Sequence, residues 1–543
     1  MPAGHLWTWF DKTVLDLGRH LRWSYLPPLM VYLAAGVSGL TAIVSTFFVK
    51  DYLGLSAAFL AGLGFWAGIP WVMKMPLGHL VDLVWRWKAL LVYLGAALIA
   101  LSMAIMYALI AETERMVALL DAETWYVVAA LLAPSGYVVQ DVVADAMTVE
   151  AVPLHDAEGR PFAEAEVKAM HTTMQTLGRF AIIGGLALVA LANIWLFEGV
   201  AELSEAEKRA IYARLYLFAL AIPVISVAGV SLGALGLRLR QRRLRRQGVA
   251  RAELERLARG GEGEARADPW IFGGSLAFVA FILATGLAKV PFAQEIVFLG
   301  SLAIVLFLMH RLVQALEPAA RRALVGTAII VFLFRAVPLP GAGATWFSID
   351  VLGFDQQFLS VLSLITSGLA LAGMLLLRPV MATRSIAYVV VLLSLAAGLL
   401  MLPNIGLYYG IQDWTAGWSG GLIDARFIAV LDTALESPLA QIAMIPMLAW
   451  IAKNAPARLK ATFFAVMASF TNLALSASSL ATKYLNQVFL VTREVRDPAT
   501  GALEVAADYG QLGHLLILVA LVTVLVPLAT VFLVQHSPLR TRQ

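Results

Sequence analysis

Apolar runs long enough to cross a bilayer recur along this chain, and they restrict its fold more than any other feature. A helix that spans a hydrocarbon core of roughly 30 Å needs about 20 apolar residues. Fourteen such runs occur, at 26–49, 57–77, 89–111, 125–149, 170–197, 211–237, 271–290, 294–312, 324–341, 358–377, 386–402, 427–451, 463–485 and 512–534. Because backbone polar groups inside a bilayer must pair internally, the sequence predicts an all-α polytopic membrane protein.

Composition agrees with this prediction and argues against other classes. Charged residues make up 14% of the chain and hydrophobic residues 60%, whereas a soluble domain carries about 25% charged residues. The absence of cysteine excludes disulfides, thiolate catalysis and cysteine-ligated metals. Because zinc-protease and phosphate-loop motifs are also missing from the sequence, we expect neither an enzyme nor a cofactor or metal.

Charge is distributed unevenly between alternate loops. Basic residues collect in one set of loops, most densely at 238–246, and acidic residues in the other set, as at 111–123 and 198–207. Since basic loops remain cytoplasmic, both termini are predicted inside, in the cell (inner) membrane. We expect segment 1–25 to be an interfacial amphipathic helix and 238–269 a basic cytoplasmic loop on anionic headgroups. That loop has no aromatic residue for base stacking, so nucleic-acid binding is not expected.

One short stretch occurs twice. Phe48–Leu60 and Phe347–Leu359 align without gaps and share, among other residues, the pairs Asp51/Asp350 and Gly54/Gly353. Each copy follows the first span of a six-span half. Parallel six-helix halves define the major facilitator fold, so we predict bundles at 26–237 and 321–535. Two further helices at 270–313 are then an insertion between the bundles. After the second bundle, residues 536–543 are predicted to form a cytoplasmic tail.

Four motifs occur in a fixed order along the chain. They are Lys50-Asp51-x-Leu53-Gly54-Leu55-Ser56, Pro70-Trp71-x2-Lys74-x-Pro76-Leu77-Gly78-x3-Asp82, Asp141-x3-Asp145 with Glu150, and Pro456–Ala465 followed by Asn472. Together they resemble the folate–biopterin transporter family of the major facilitator superfamily. The resemblance implies a carrier for pteridine-type or other anionic organic solutes. The pattern of the fourth span, with Gln140 directly before Asp141, also resembles that of muropeptide permeases. The motifs therefore leave the identity of the substrate open.

Ionisable residues at membrane depth are costly and therefore functional candidates. Asp141 and Asp145 lie four residues apart on one helix face, and Asp141 is roughly 24 Å from the outer end of its helix. The pair is therefore placed in the cytoplasmic half. It either latches an inner gate by pairing with Arg86, Lys88 or Arg179, or it handles a proton or the substrate. The predicted coupling or gate residues are Asp141, Asp145, Lys74, Asp82 and Arg86.

A second set of polar residues is predicted to bind substrate. It consists of Gln175 and Arg179 on the fifth helix, Arg335 on the seventh, and Glu436 and Gln441 around Pro438 on the tenth. A guanidinium binds a carboxylate through two parallel hydrogen bonds, which suits an anionic substrate. Two alternatives remain open: Arg179 neutralises Asp141 or Asp145, and Glu436 lies with Asp432 in a hydrated outer vestibule.

These features predict a secondary active transporter that moves an anionic, folate- or pterin-like solute by alternating access, coupled to protons. One alternative is a permease for muropeptides or chelates. Another is a non-transporting scaffold subunit of a membrane complex, with the inserted helix pair as a surface for partner proteins. The expected partners are thus a small anionic organic substrate, protons and membrane lipids.

Overall fold

Long helices make up almost all of the chain that can be described. The computed structural model describes residues 22–84, 87–153, 162–246, 269–287, 290–314, 317–376, 385–440, 460–496 and 503–540. The amphipathic helix expected at the N-terminus therefore lies largely outside the described residues. The end of the bundle near residues 52–57 is called the outer end, following the orientation predicted above.

The N-terminal half contains ten helices and helical segments. They are α1 (Leu26–Val37), α2 (Ala42–Tyr52), α3 (Ala57–Val72), α4 (Lys74–Leu83), α5 (Lys88–Ala111), α6 (Thr113–Val117), α7 (Ala122–Ala151), α8 (Glu164–Leu196), α9 (Glu205–Ala219) and α10 (Ala221–Arg246). Short 3-10 turns cover Trp23–Tyr25, Ser38–Thr41 and Val200–Glu202. Helix α10 continues to Arg246 and so carries the first arginines of the basic segment, past the bundle boundary expected at 237.

The inserted pair and the C-terminal half follow. The inserted pair is α11 (Pro269–Leu287) and α12 (Ala293–Val313). The half consists of α13 (Pro318–Arg335), α14 (Ala342–Asp350), α15 (Gln356–Leu376), α16 (Ile386–Tyr408), α17 (Ile411–Ser419), α18 (Ala425–Ala440), α19 (Lys460–Val488) and α20 (Leu512–Gln535). Between α19 and α20, β1 (Val495–Arg496) and β2 (Leu503–Val505) pair antiparallel.

Within the described ranges, ten helices or helix runs are long and apolar enough to cross a membrane. They match ten of the fourteen runs predicted from the sequence, and 276–286 appears as a shorter apolar helix. The runs at 324–341, 427–451 and 463–485 do not meet that measure, and 441–459 lie outside the described residues. The total of fourteen spans therefore stays a prediction.

The first span of each half is interrupted near its middle. In the N-terminal half, the turn Ser38–Thr41 separates α1 from α2. In the C-terminal half the helix stops at Arg335, and a new helix begins after Gly341, whose φ is +82°. Pro338 and Pro340 cannot donate backbone hydrogen bonds and disfavour helical geometry before them. The span expected at 324–341 therefore ends as a helix at Arg335, and a second helical piece, α14, follows from Ala342 to Asp350.

The repeated stretches occupy matching places in the two halves. Gly54 follows α2 and Gly353 follows α14, and both adopt left-handed backbone angles, with φ of +60° and +68°. Residues with a Cβ rarely adopt this conformation, whereas glycine does so readily. The internal repeat therefore extends to backbone conformation at the turn into the second span of each half.

Close glycine contacts hold the helix that carries the two aspartates. A Cβ on Gly95 of α5 would lie 2.6 Å from the carbonyl oxygen of Gly136 on α7, and a Cβ on Gly136 would lie 2.5 Å from that of Gly95. Small residues let membrane helices approach until their backbones touch. Gln140, one turn further along α7, donates to the Val92 carbonyl oxygen at 3.1 Å and to Ser226 Oγ at 2.9 Å. Helix α7 is thus fixed to α5 and α10.

The two halves meet along two pairs of helices. Helix α3 packs against α19, and α8 packs against α15. Asn472 of α19 donates to the Trp71 carbonyl oxygen at the end of α3, at 2.9 Å, and so joins the two halves. Ile183 of α8 packs with Ala370 and Met374 of α15. The inserted helices lie against α4 and α19, one from each half.

Candidate functional site

A lysine joins the two predicted aspartates in the half of the bundle away from the outer end. Lys74 is the first residue of α4, directly after the interruption at Met73 that ends α3. Its Nζ forms ion pairs with the Oδ2 atoms of both Asp141 and Asp145, the second at 3.1 Å. The two acids lie one helical turn apart on α7, so a single ammonium group reaches both.

Tyr32 of α1 completes the group. Its hydroxyl donates to Asp145 Oδ1 at 2.6 Å. The ring passes directly over Gly178 of α8, where a Cβ would lie 2.8 Å from a ring carbon. A glycine at this position therefore lets the tyrosine reach Asp145 from between α1 and α8. We call Lys74, Asp141, Asp145 and Tyr32 the acid cluster.

The two aspartates differ in their access to solvent. The Asp141 side chain is 14% exposed and that of Lys74 is 19% exposed, whereas that of Asp145 is 51% exposed. Arg179 of α8 lies within electrostatic range of Asp141. Two carboxylates, one ammonium and one guanidinium thus balance each other. Such a set can change its protonation or exchange a partner without leaving an isolated buried charge.

The partner predicted for the aspartates was wrong in part. Neither Lys88 nor Arg86 is the described partner: Lys88 pairs with Glu150 near the end of α7, and Arg86 lies outside the described residues. Lys74, which was predicted as a coupling or gate residue, takes that place. Arg179 is near Asp141, as the neutralising alternative required, although the described contacts include no direct ion pair between them.

Several predicted residues cannot be placed. Gln441 and Arg86 lie outside the described residues. The side chains of Gln175, Glu436 and Asp82 are likewise outside the description, although their backbones belong to α8, α18 and α4. Their roles remain predictions.

Arg335 lies at the last residue of α13, beside the interruption of the first C-terminal span. Its Nε is buried and has no hydrogen-bond partner among the described residues. Within the same half, Asn404 of α16 donates to Asp432 Oδ2 at 2.7 Å, and Asp432 is 6% exposed. The structure thus buries Asp432 between two helices instead of placing it in a hydrated vestibule. None of the described contacts joins Arg335 to the acid cluster.

The outer ends of the halves are joined by polar contacts, which we call the outer latch. Lys50 Nζ lies 2.5 Å from Asp350 Oδ1 in the opposite half and 3.1 Å from Asp51 Oδ1 in its own. Gln356 donates to the Tyr212 hydroxyl at 2.7 Å, again between halves. A shallow pocket of about 210 Å³ lies beside these contacts and is lined by Lys50, Asp51 and Gln356, among others.

The sequence singled out the Asp51 and Asp350 stretches only as a repeat, not as a contact. The repeat itself could have indicated this contact, because a pseudo-twofold axis places equivalent residues of the two halves at equivalent positions. Lys50 stands where the second copy has Ile349, so the lysine is the asymmetric element that lets the two acids approach.

The sequence pattern of one enzyme class also occurs in the described part of the chain. Gly417–Gly421 fits the Gly-x-Ser-x-Gly pattern of serine hydrolases. In that class, the serine lies on a sharp turn between a strand and a helix. Here Ser419 ends the short helix α17, and its Oγ accepts a hydrogen bond from the Ile423 backbone N–H. The described residues contain no cluster of three or more His, Cys, Asp or Glu side chains that could hold a metal ion.

Comparison with known proteins agrees with this architecture. The sequence profile of the BT1 family matches residues 172–542. The chain belongs to the BT1 family. A curated folate–biopterin transporter from Synechocystis sp. (strain ATCC 27184 / PCC 6803 / Kazusa) is 37% identical over 75 residues. That match covers 14% of this chain and 15% of the relative. The folate–biopterin transporter family predicted from the motifs is therefore confirmed.

Solved structures establish the fold of this BT1 protein. A POT family transporter in complex with 5-aminolevulinic acid superposes with a TM-score of 0.60 at 13% identity, covering 97% of both chains. A second POT family transporter, in complex with a thioalcohol-conjugated peptide, gives a TM-score of 0.56 at 13% identity over 96% of both chains. The chain thus has the major facilitator fold predicted from its repeat, and its ten described apolar helices or helix runs are those of a multi-pass membrane protein.

Proposed function

We propose that this BT1 protein is a proton-coupled secondary transporter that moves an anionic organic solute by alternating access between its two halves. The observation that carries the proposal is the acid cluster, in which Lys74 is shared by two carboxylates inside a helix bundle. Charged groups at membrane depth cost several kcal/mol, by order of magnitude, unless they are paired or lead to a pathway. A bundle that served only as a scaffold would be more stable without them.

The coupling role rests on the unequal surroundings of the two acids. Asp145 is half-exposed, while Asp141 is held against Lys74 inside the bundle. Protonation of Asp145 weakens its attraction to Lys74 and leaves the lysine with Asp141 alone. Such a step alters the contacts that α1 and α4 each make with α7 in the N-terminal half.

The preference for an anion rests on the two arginines. Arg335 is a buried guanidinium with an unused Nε donor in the described part of the chain. A buried donor without an acceptor costs about 1–3 kcal/mol, and a substrate carboxylate would remove this cost. Arg179 belongs to the other half, so a solute bound between the halves can meet one arginine from each. A folate or pterin conjugate is the first candidate, in keeping with the name of the Synechocystis relative.

Uptake into proteoliposomes tests the proposal. Purified protein is reconstituted, an inward proton gradient is imposed, and accumulation of labelled folate, pterin, muropeptide and chelate compounds is measured. We expect one anionic class to accumulate and the accumulation to collapse with a protonophore. Absence of uptake for every class would contradict the transport proposal and favour the scaffold alternative.

Amide variants test the coupling role of the acids. Asp141→Asn, Asp145→Asn and Glu436→Gln are each compared with Asp121→Asn, an exposed helix cap outside the cluster that serves as a control. A coupling acid should lose gradient-driven accumulation while exchange of substrate across the membrane survives. Full accumulation by all three amide variants would leave the acids as latch residues only.

A further inference from the structure

A buried arginine beside the outer latch is used by none of the contacts described above. Arg493 follows α19 and is only 4% exposed. Its Nε and Nη2 are buried without a hydrogen-bond partner in the part of the chain that is described. Two unused donors on a permanently charged side chain indicate that the closed latch is not the arrangement in which Arg493 is best satisfied.

The surroundings of Arg493 provide an acceptor. Its guanidinium lies 5.4 Å from the ring centre of Trp346, one turn before Asp350 on α14. It is within electrostatic range of Asp51, Asp350 and Tyr509. Burial lowers the pKa of Arg493, and Asp51 and Asp350 oppose this effect. In the closed latch, the Asp350 oxygens are already taken, one by Lys50 and the other by the Tyr509 hydroxyl at 2.5 Å.

Four charged residues lie at or beside the outer latch, and each half contributes one acid and one base. Lys50 and Asp51 belong to the N-terminal half and already contact each other at 3.1 Å. Asp350 and Arg493 both belong to the C-terminal half. If the outer ends separate, Lys50 keeps Asp51, while Asp350 loses its lysine and has Arg493 beside it. Each half would then carry one paired acid and base, with no isolated charge left behind.

We propose that Arg493 is the alternative partner of Asp350, so that opening of the outer latch exchanges a Lys50–Asp350 pair for an Arg493–Asp350 pair. The inference rests on the proposed alternating access, because it describes how one of the two states is stabilised. Arg493 is a positioning residue here: it acts through Asp350 and sets the balance between closed and open outer ends.

The distance between the outer loops measures that balance. Since the chain has no native cysteine, Leu119→Cys and Trp418→Cys can be spin-labelled as a single pair. These residues are 73% and 76% exposed. Leu119 lies in the outer loop between α6 and α7, and Trp418 lies in the short outer helix α17 of the opposite half. Pulsed electron paramagnetic resonance then gives the fractions of short and long distances, for closed and open outer ends, in reconstituted protein.

Removal of Arg493 should favour the closed state. We expect Arg493→Gln to lower the ratio of open to closed protein on the order of tenfold, in the range typical for coupled sites. Lys50→Gln should shift the ratio the other way. Arg426→Gln is the matched control, because Arg426 pairs with Asp355 at 2.9 Å on the same outer face but entirely within the C-terminal half. It should leave the ratio within about twofold, well below that coupling range.

A double variant separates charge exchange from a structural role. In an Asp350→Asn background, Arg493→Gln should no longer change the ratio, since the acid that Arg493 receives is gone. An undiminished effect in that background would overturn the inference. Arg493→Lys keeps the charge and replaces the glutamine variant if that variant does not insert into the membrane. The ratio of open to closed protein should stay close to that of the unmodified chain. A tenfold loss would contradict charge exchange.

The same measurement distinguishes this inference from the proposed function. A single distance under all conditions, with and without saturating folate and at acidic and neutral pH, would contradict alternating access itself. Two distances whose ratio is insensitive to Arg493→Gln would contradict only the exchange of partners.

Discussion

Removing the ammonium of Lys74 should destabilise the bundle by an amount that the structure allows to be estimated. Lys74→Met keeps the length and apolar stem of the side chain but leaves Asp141 and Asp145 facing each other. Breaking a buried ion pair by deleting one partner costs about 3–5 kcal/mol. Because Asp145 is 51% exposed and water screens its charge, we expect a loss just below that range, about 2–3 kcal/mol.

The assay is the free energy of unfolding in mixed micelles, followed by tryptophan fluorescence during titration with a denaturing detergent. Lys208→Met is the matched control, since Lys208 pairs with Glu205 one turn away at a site where the glutamate is 65% exposed. That pair should contribute less than about 1 kcal/mol. The double variant Lys74→Met/Asp141→Asn removes the more buried of the two carboxylates that have lost the lysine, and it should recover at least half of the loss. Equal stability of the single and double variants would refute the reasoning.

Four further substitutions test the packing, the repeat and the inserted helices. Gly54→Ala and Gly353→Ala should each cost about 1 kcal/mol, because both positions have positive φ; unequal costs beyond about twofold would count against an equivalent role. Asn472→Ala should cost about 1 kcal/mol through loss of its bond to the Trp71 carbonyl, measured by the same titration. Gln294→Ala removes contacts of the inserted helix α12 with Gly62 in one half and Lys483 in the other, and should increase the open fraction in the spin-label assay; no change would show that the insertion does not restrain the halves.

The spans could be predicted from the sequence because apolar length is a local property. Their interruptions were only partly visible: Pro338 and Pro340 mark the break after Arg335, whereas nothing in Ser38–Thr41 announces a 3-10 turn. The repeat also carried three-dimensional information, and the matching φ angles of Gly54 and Gly353 follow from it.

Side-chain partners were predicted less well, because they depend on how distant helices face each other. The acids at 141 and 145 stood out by their cost in a membrane, but the choice of Lys74 over Lys88 required the packing of α4 on α7. Tyr32 gave no signal, since a tyrosine in an apolar run resembles any other core aromatic residue. Arg493 gave no signal either, because it lies in the segment between α19 and α20 and its burial depends on the packing of that segment against α14.

The central claim, transport by alternating access between two halves, is tested most directly by locking the outer latch. Lys50→Cys and Asp350→Cys replace residues whose charged atoms lie 2.5 Å apart across the halves, in a chain with no other cysteine. A short bis-methanethiosulfonate reagent joins the two thiols, and a reductant releases them. Uptake of the transported anion into proteoliposomes is then measured before cross-linking, after it and after reduction. We expect uptake to stop when the thiols are joined and to return when they are released. Undiminished uptake by fully cross-linked protein would contradict transport by alternating access.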